Sequence, residues 1–182
     1  MHPITKFLKK NKIIVKEGTT RWYSIAGSKL WTPSVTSILS AAGKGEYFDK
    51  WLANQGSWDN ACKVRDEAAK RGTIVHEISE DLLNGEEVIL DAGPEIIKRV
   101  MCLEQWYNDY QPEIIMQEVM LAFPGVRFAG RFDILARIDG KNVLIDIKTG
   151  GHYKTHDLQA TMYKILWDTI IEHTNAGNEY MV

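Results

Sequence analysis

Residues 130–148 read GRFDILARIDGKNVLIDIK, and this stretch decides the fold. Asp139-Gly140 stands between two runs of alternating apolar residues, the strongest short-range signal for a β-hairpin with a two-residue turn. Such a turn pairs Ile138 with Lys141 and sets the register outward. Ala136 then faces Val143, Ile134 faces Ile145, Asp133 faces Asp146 and Phe132 faces Ile147. Counted from the hydrogen-bonded pair at the turn, Asp133 and Asp146 form a non-hydrogen-bonded pair, with Cα atoms about 4.5 Å apart. A three-residue bulged loop would break this register.

Like charges placed directly opposite destabilise a sheet, so the facing aspartates make physical sense with a divalent cation between them. Hard carboxylate oxygens suit magnesium or manganese. Lys148 lies two residues beyond Asp146 and is expected on the same face, with Val143, Ile145 and Ile147 on the other. Its ammonium can orient an attacking water or offset charge that builds on a phosphate. An isolated Asp-x-Lys reads instead as a surface salt bridge, with Arg131 or Arg137 neutralising Asp133. The facing aspartate reverses that preference.

Outward from the hairpin, a β-branched and aromatic run from Ile114 to Phe123 precedes Pro124-Gly125, and Phe128 to Ile138 and Val143 to Ile147 follow. Three antiparallel strands in a meander are expected. A helix over about Thr155 to Ile171 comes next, with Leu158, Met162, Ile165 and Leu166 apolar. Gln159 and Tyr163 share a face of it at i, i+4 spacing. Upstream, apolar residues recur at helical steps from Trp58 to Leu83, through Ala61, Val64, Ala68, Val75, Ile78 and Leu82. Pro94 opens another helix, with Ile97, Val100, Met101, Leu103 and Trp106 towards the core. Gly72 interrupts the long helix one turn before His76. A glycine there costs about 1 kcal/mol relative to alanine, so it has a packing reason, the approach of another element or of a nucleic-acid backbone.

Near the start, Asn11–Lys16 and Arg21–Ile25 flank Gly18 as a hairpin. Trp31-Thr32-Pro33-Ser34 reads as a loop that opens a helix carrying Val35, Ile38 and Leu39, ended by Gly43 and Gly45. A short helix from Tyr47 to Ala53 follows. The chain is read as one domain, 1–182, with residues 1–57 the N-terminal hairpin and helices and 58–182 the catalytic core. A strand opens at Glu179, after Gly177, and the chain stops, so a fragment of a longer protein is expected.

With 182 residues, 45% of them hydrophobic, the chain suffices for one well-packed domain. The net charge of −2 and pI near 6.2 exclude a global field attracting nucleic acid, so binding needs a local basic patch. Lys6, Lys9, Lys10 and Lys12 read as a solvated face, whereas Lys63, Arg65, Lys70 and Arg71 gain interest from preceding His76. Cys62 and Cys102 fit no metal-cluster spacing and no disulfide framework, which suits a reducing cytoplasm. No apolar run is long enough to span a membrane. Of the six tryptophans, Trp22, Trp31, Trp51 and Trp58 fall before His76. Each alone reads as core, although aromatic faces can stack unpaired bases.

Taken in order, Gly72-xxx-His76, Glu118, Gly130-Arg131-Phe132-Asp133, Asp146-Ile147-Lys148 and Gln159-xxx-Tyr163 resemble the RecB-like branch of the PD-(D/E)XK nucleases. Residues 32–39, TPSVTSIL, also resemble the opening of a subgroup that includes the mitochondrial genome maintenance exonuclease and many phage exonucleases. The resemblance implies an α/β, restriction-endonuclease-like core whose mixed sheet, containing the antiparallel meander, is flanked by helices. It implies that His76, Asp133 and Asp146 bind Mg²⁺ or Mn²⁺ and that Lys148 is the catalytic lysine. Gln159 and Tyr163 would shape the site or contact DNA, Glu118 would be a supporting or additional carboxylate, and Ser34, Thr36 and Arg131 would lie near the bound strand.

The substrate so implied is DNA, single-stranded or with free ends, cut to 5′-phosphate products in phage-type recombination, replication or repair. Recombination or replication proteins would be partners, and the host cytoplasm the location of a phage-encoded enzyme. The iron–sulfur cysteines of helicase-coupled relatives are absent, and no helicase motor fits this length. Two rivals remain: a DNA-binding module of the same fold without catalysis, and an interaction protein whose charges form salt bridges.

Overall fold

The computed structural model describes residues 3–42, 45–88, 92–174 and 180–181. In chain order its elements are α1 (Pro3–Lys10), β1 (Ile13–Lys16), β2 (Trp22–Ile25), β3 (Thr32–Pro33), α2 (Val35–Ala41), α3 (Gly45–Ala53) and α4 (Trp58–Leu83). They continue with α5 (Pro94–Tyr110), β4 (Glu113–Leu121), β5 (Gly130–Ile138), β6 (Lys141–Ile145), α6 (Lys154–His173) and β7 (Tyr180–Met181). The chain divides into two compact units. One comprises Met1–Ala42, Glu113–Asp146 and His152–Val182, the other Gly43–Pro112 and Ile147–Gly151.

The first unit holds both sheets. Strands β4, β5, β6 and β7 lie in that order, antiparallel except for the parallel β6–β7 pair. The meander is therefore present, in a mixed sheet with helices, as the α/β expectation required. At β5–β6 the turn has the expected two residues, Asp139 at φ 50° and Gly140 at φ 77°, both left-handed as a twist-matched hairpin turn demands. Ile138 pairs with Lys141, and the register holds through Ile134 and Ile145. There the ladder stops. The expected strand 143–147 is thus displaced to 141–145, and Asp146, Ile147 and Lys148 lie beyond it.

Helix α6 packs against this sheet through Tyr163, Leu166, Trp167, Ile170 and Ile171, which bury with Val119, Leu121, Phe132 and Leu135. The expected apolar stripe is corrected here. Leu158 and Ile165 are exposed, and the buried face includes Leu166, as expected, together with Gln159 and Tyr163. Helix α1, absent from the sequence reading, contributes Ile4 and Phe7 to the same core. Eight residues with apolar positions three and four apart make one amphipathic face, a pattern too short to stand out beside the lysines.

The N-terminal hairpin is present, and Thr32–Pro33, read as loop, adds a third strand to it. A parallel bridge from Ser34 to Ala129 joins this sheet to the approach of β5. Ser34 then caps α2, its Oγ accepting from the Ser37 amide at 3.0 Å. Gly45 opens α3 rather than ending α2, while Gly43, Gly177 and Glu179 lie outside the described residues.

The second unit is built on α4 and α5. Val75 of α4 buries with Ile96 and Val100 of α5, and Ile78 and Ala92 pack alongside. The 26-residue span of α4 matches its sequence pattern, and Gly85 follows at φ 76°. In α5, Ile96 is buried and Met101, expected inward, is 58% exposed. No described helix is long and apolar enough to cross a membrane.

Candidate functional site

Between β4 and β5 the flanking pairs Gln117–Ile134 and Val119–Phe132 set Glu118 opposite Asp133. Their carboxylate oxygens come within 4.8 Å of one another. Glu118 has φ 51°, a left-handed conformation that costs a non-glycine residue roughly 1–3 kcal/mol. Two facing carboxylates and a strained backbone are each unfavourable for the sheet alone. One divalent ion fits both: at metal–oxygen distances of about 2.0–2.6 Å, two ligands on one ion lie within such a separation.

Glu118 with Asp133 is thus a close pair that the sequence reading, with Asp133 facing Asp146, did not name. Glu118 was legible as a candidate, but the eight-residue connection from 122 to 129 does not dictate a register as a two-residue turn does. Arg131 donates to Glu118 across 2.8 Å, and Arg137 pairs with Glu113 at 3.4 Å. Both arginines offered as neutralisers of Asp133 are engaged with glutamates.

Asp146, one residue past β6, is held from α6. Gln159 Nε2 donates to Asp146 Oδ1 at 3.3 Å and to the Tyr163 hydroxyl at 3.0 Å. Gln159 and Tyr163 are buried. Burial, reinforced by the negative charge of Asp146, pushes the Tyr163 phenol upward, against the opposing hydrogen bond from Gln159. It is a neutral hydroxyl across the whole neutral range.

Gly130 explains how Tyr163 fits. A Cβ at position 130 would collide with the Tyr163 ring, meeting Cδ1 at 3.3 Å, Cζ at 3.4 Å and Cε1 closer still. The glycine of Gly130-Arg131-Phe132-Asp133 and the tyrosine of Gln159-xxx-Tyr163 are therefore two halves of one contact, which spacing alone does not reveal. Phe132 completes the packing, its ring centroid 6.1 Å from Tyr163 and 6.3 Å from Trp167.

His76 and Lys148 belong to the second unit. His76 is half-buried on α4, and Lys148 is exposed. Within that unit, Arg99 Nε donates to the Thr149 carbonyl at 2.8 Å, and Arg99 Nη1 holds Glu95 at 2.7 Å. That ion pair lowers the Glu95 carboxyl below its ordinary value. A Cβ at Gly72 would stand 3.4 Å from Thr149 Oγ1, so the element that approaches this glycine is the segment carrying Lys148. Lys148 borders a cavity of about 300 Å³ that Lys98 and Arg99 also line. Sequence reasoning missed Arg99, whose signal was only its i, i+4 spacing from Glu95.

Ser34 is 2% exposed, and its hydroxyl contacts those of Ser37 at 2.7 Å and Thr36 at 3.0 Å. Its evident work is structural, whereas Thr36 is exposed. Among the tryptophans expected in the core, Trp167 is buried, and Trp22, Trp31 and Trp58 are exposed. A family model described as the PD-(D/E)XK nuclease superfamily matches residues 20–181. No curated protein matches the chain.

Proposed function

The chain belongs to the PD-(D/E)XK nuclease superfamily, and from that premise we propose that it is a metal-dependent deoxyribonuclease, an exonuclease on single-stranded or end-bearing DNA. The observation that carries this reading is the facing Glu118–Asp133 pair, with Glu118 held at a left-handed φ. The order of motifs from Gly72 to Tyr163 supports the RecB-like branch and a role in phage-type recombination, replication or repair.

Asp133, Asp146 and Glu118 would hold Mg²⁺ or Mn²⁺, with His76 the further ligand that the family resemblance implies. The bound ion supplies Lewis acidity and a lowered pKa for water. Gln159 keeps Asp146 oriented by donating to Oδ1. Lys148 orients the attacking water and offsets the charge that builds on the phosphoryl oxygens. The water oxygen bonds to phosphorus, the P–O3′ bond breaks, and a proton reaches the departing 3′-oxygen. A 5′-phosphate and a 3′-hydroxyl remain.

The test is cleavage of end-labelled single- and double-stranded DNA, linear and circular, with Mg²⁺, Mn²⁺ or EDTA, alongside Lys148→Ala. Metal-dependent loss of linear DNA with circles spared, absent in the variant, is the expected result. Circles cut as readily as linear DNA would make it an endonuclease. Folded protein that binds DNA without cleaving it under any metal would replace the proposal with a binding module.

A further inference from the structure

A second cavity lies within the first unit, about 490 Å³ in volume, lined by part of residues 24–33 on one side, Trp31 among them, and by residues 122–127 on the other. Its size falls within the roughly 300–1,000 Å³ of small-molecule sites. The wall is built. Ser24, 3% exposed, donates its hydroxyl to the Leu30 carbonyl at 2.7 Å, and the Leu30 amide donates to Ser28 Oγ at 3.0 Å. On this fixed loop Trp31 remains 45% exposed.

The charge of the two walls is distinctive. Arg127 is the one charged residue among those lining the cavity, and none of them is a carboxylate, in a chain whose net charge is −2. An accessible indole beside a cation, with no acid in the lining to repel phosphate, is the combination that holds an unpaired nucleotide. The ring stacks on the base and the cation meets the backbone. A partner peptide of acidic character would use the cation but leave the indole and the cavity unexplained.

We infer that this cavity is a nucleobase subsite for the DNA strand, with Trp31 the stacking face and Arg127 the phosphate contact. The inference rests on the nuclease reading above. Ala122 follows Glu118 by four residues, so the cavity begins at most about 14 Å along the chain from Glu118. The subsite therefore grips the strand a short way from the scissile phosphate, and it selects strands with an unstacked base.

The experiment measures binding of oligothymidylate and of an abasic oligomer of equal length, in EDTA, by fluorescence anisotropy. Wild type, Trp31→Ala, Trp31→Phe and Arg127→Ala are compared, with thermal unfolding confirming the fold. Stacking is worth about 1–3 kcal/mol per base, so Trp31→Ala should weaken oligothymidylate binding by about tenfold. Trp31→Phe should retain most of the affinity. The abasic oligomer should bind wild type weakly and be insensitive to Trp31→Ala, whereas Arg127→Ala should weaken both ligands. Unchanged oligothymidylate affinity in Trp31→Ala, or an equal loss for the abasic oligomer, overturns the subsite. If wild type still cleaves DNA with Mn²⁺ in that case, the nuclease reading stands. Wild type that neither binds nor cleaves DNA overturns both.

Discussion

Two antiparallel connections of the same sheet differ in how they are made. The β5–β6 hairpin closes through two residues, Asp139 and Gly140, and its ladder is regular over its whole length. The β4–β5 pair closes through a longer loop, shifts register between Ile114 and Met116, and holds Glu118 at φ 51°. In the first, the left-handed positions serve the turn, and a glycine takes one of them. In the second, a glutamate takes the left-handed position in mid-strand, where no turn needs it. The regular hairpin aligns the sheet, and the irregular one aims a carboxylate.

The hardest test of that contrast removes the carboxylate opposite Glu118. Asp133→Asn should lower metal-dependent cleavage on the order of a thousandfold, the loss expected when several kcal/mol of transition-state stabilisation go. The fold, followed by circular dichroism, should persist. Near-normal turnover would sever the irregular pair from catalysis.

Gly130→Ala addresses the contact that seats Tyr163. The added methyl overpacks the site, at a cost of about 1–3 kcal/mol, and Tm should fall by several degrees. In a Tyr163→Leu background the same change should cost less, and equal costs in both backgrounds would refute the coupling between the two motifs.

Glu118→Gly and Gly140→Ala set the two left-handed positions against each other. At 118, relief of about 1–2 kcal/mol of backbone strain exceeds the roughly 0.5–1 kcal/mol entropic cost of glycine. That variant should melt a few degrees higher while cleaving more slowly. Gly140→Ala should lose about 1 kcal/mol and keep its activity. Parallel behaviour of the two variants would erase the distinction.

The smallest effect concerns pH. The Tyr163 phenol is raised in the folded chain above its ordinary value near 10. The unfolded chain therefore releases that proton first as pH rises. The contribution of Tyr163 is intact below about pH 10 and declines above it. Denaturant titrations of Tyr163→Phe should show a shallower alkaline loss of stability than wild type, and identical slopes would remove Tyr163 as its source.

Legibility followed the same division. Where turn chemistry sets the register, at Asp139-Gly140, the sequence yields the pairing residue by residue; it misplaces only the strand end. Helices α4 and α5 are long enough for their periodicity to show. On α6 two stripes compete. The more apolar one, through Leu158 and Ile165, loses because Gly130 admits Tyr163 and Asp146 engages Gln159, both long-range contacts. Glu118 could be named but not placed, since its register depends on a bulge and a positive φ that no local pattern announces. The exposure of Trp22, Trp31 and Trp58 is hidden for a similar reason. An indole is as apolar on a wall as in a core, and only the surrounding fold tells the two apart.

The family match begins at residue 20, yet Ile4 and Phe7 lie before it, 0% and 8% exposed in the core beneath α6. Strand β1 also precedes it, paired along its full length with β2. A protein trimmed to the matched boundaries would keep every candidate catalytic residue and lose part of its foundation. Two side chains worth about 1.5–3 kcal/mol each would leave a hollow in that core, and β2 would gain an open edge able to recruit a neighbouring chain. Inactivity or clumping of such a shortened protein would report on its missing floor, and not on its chemistry.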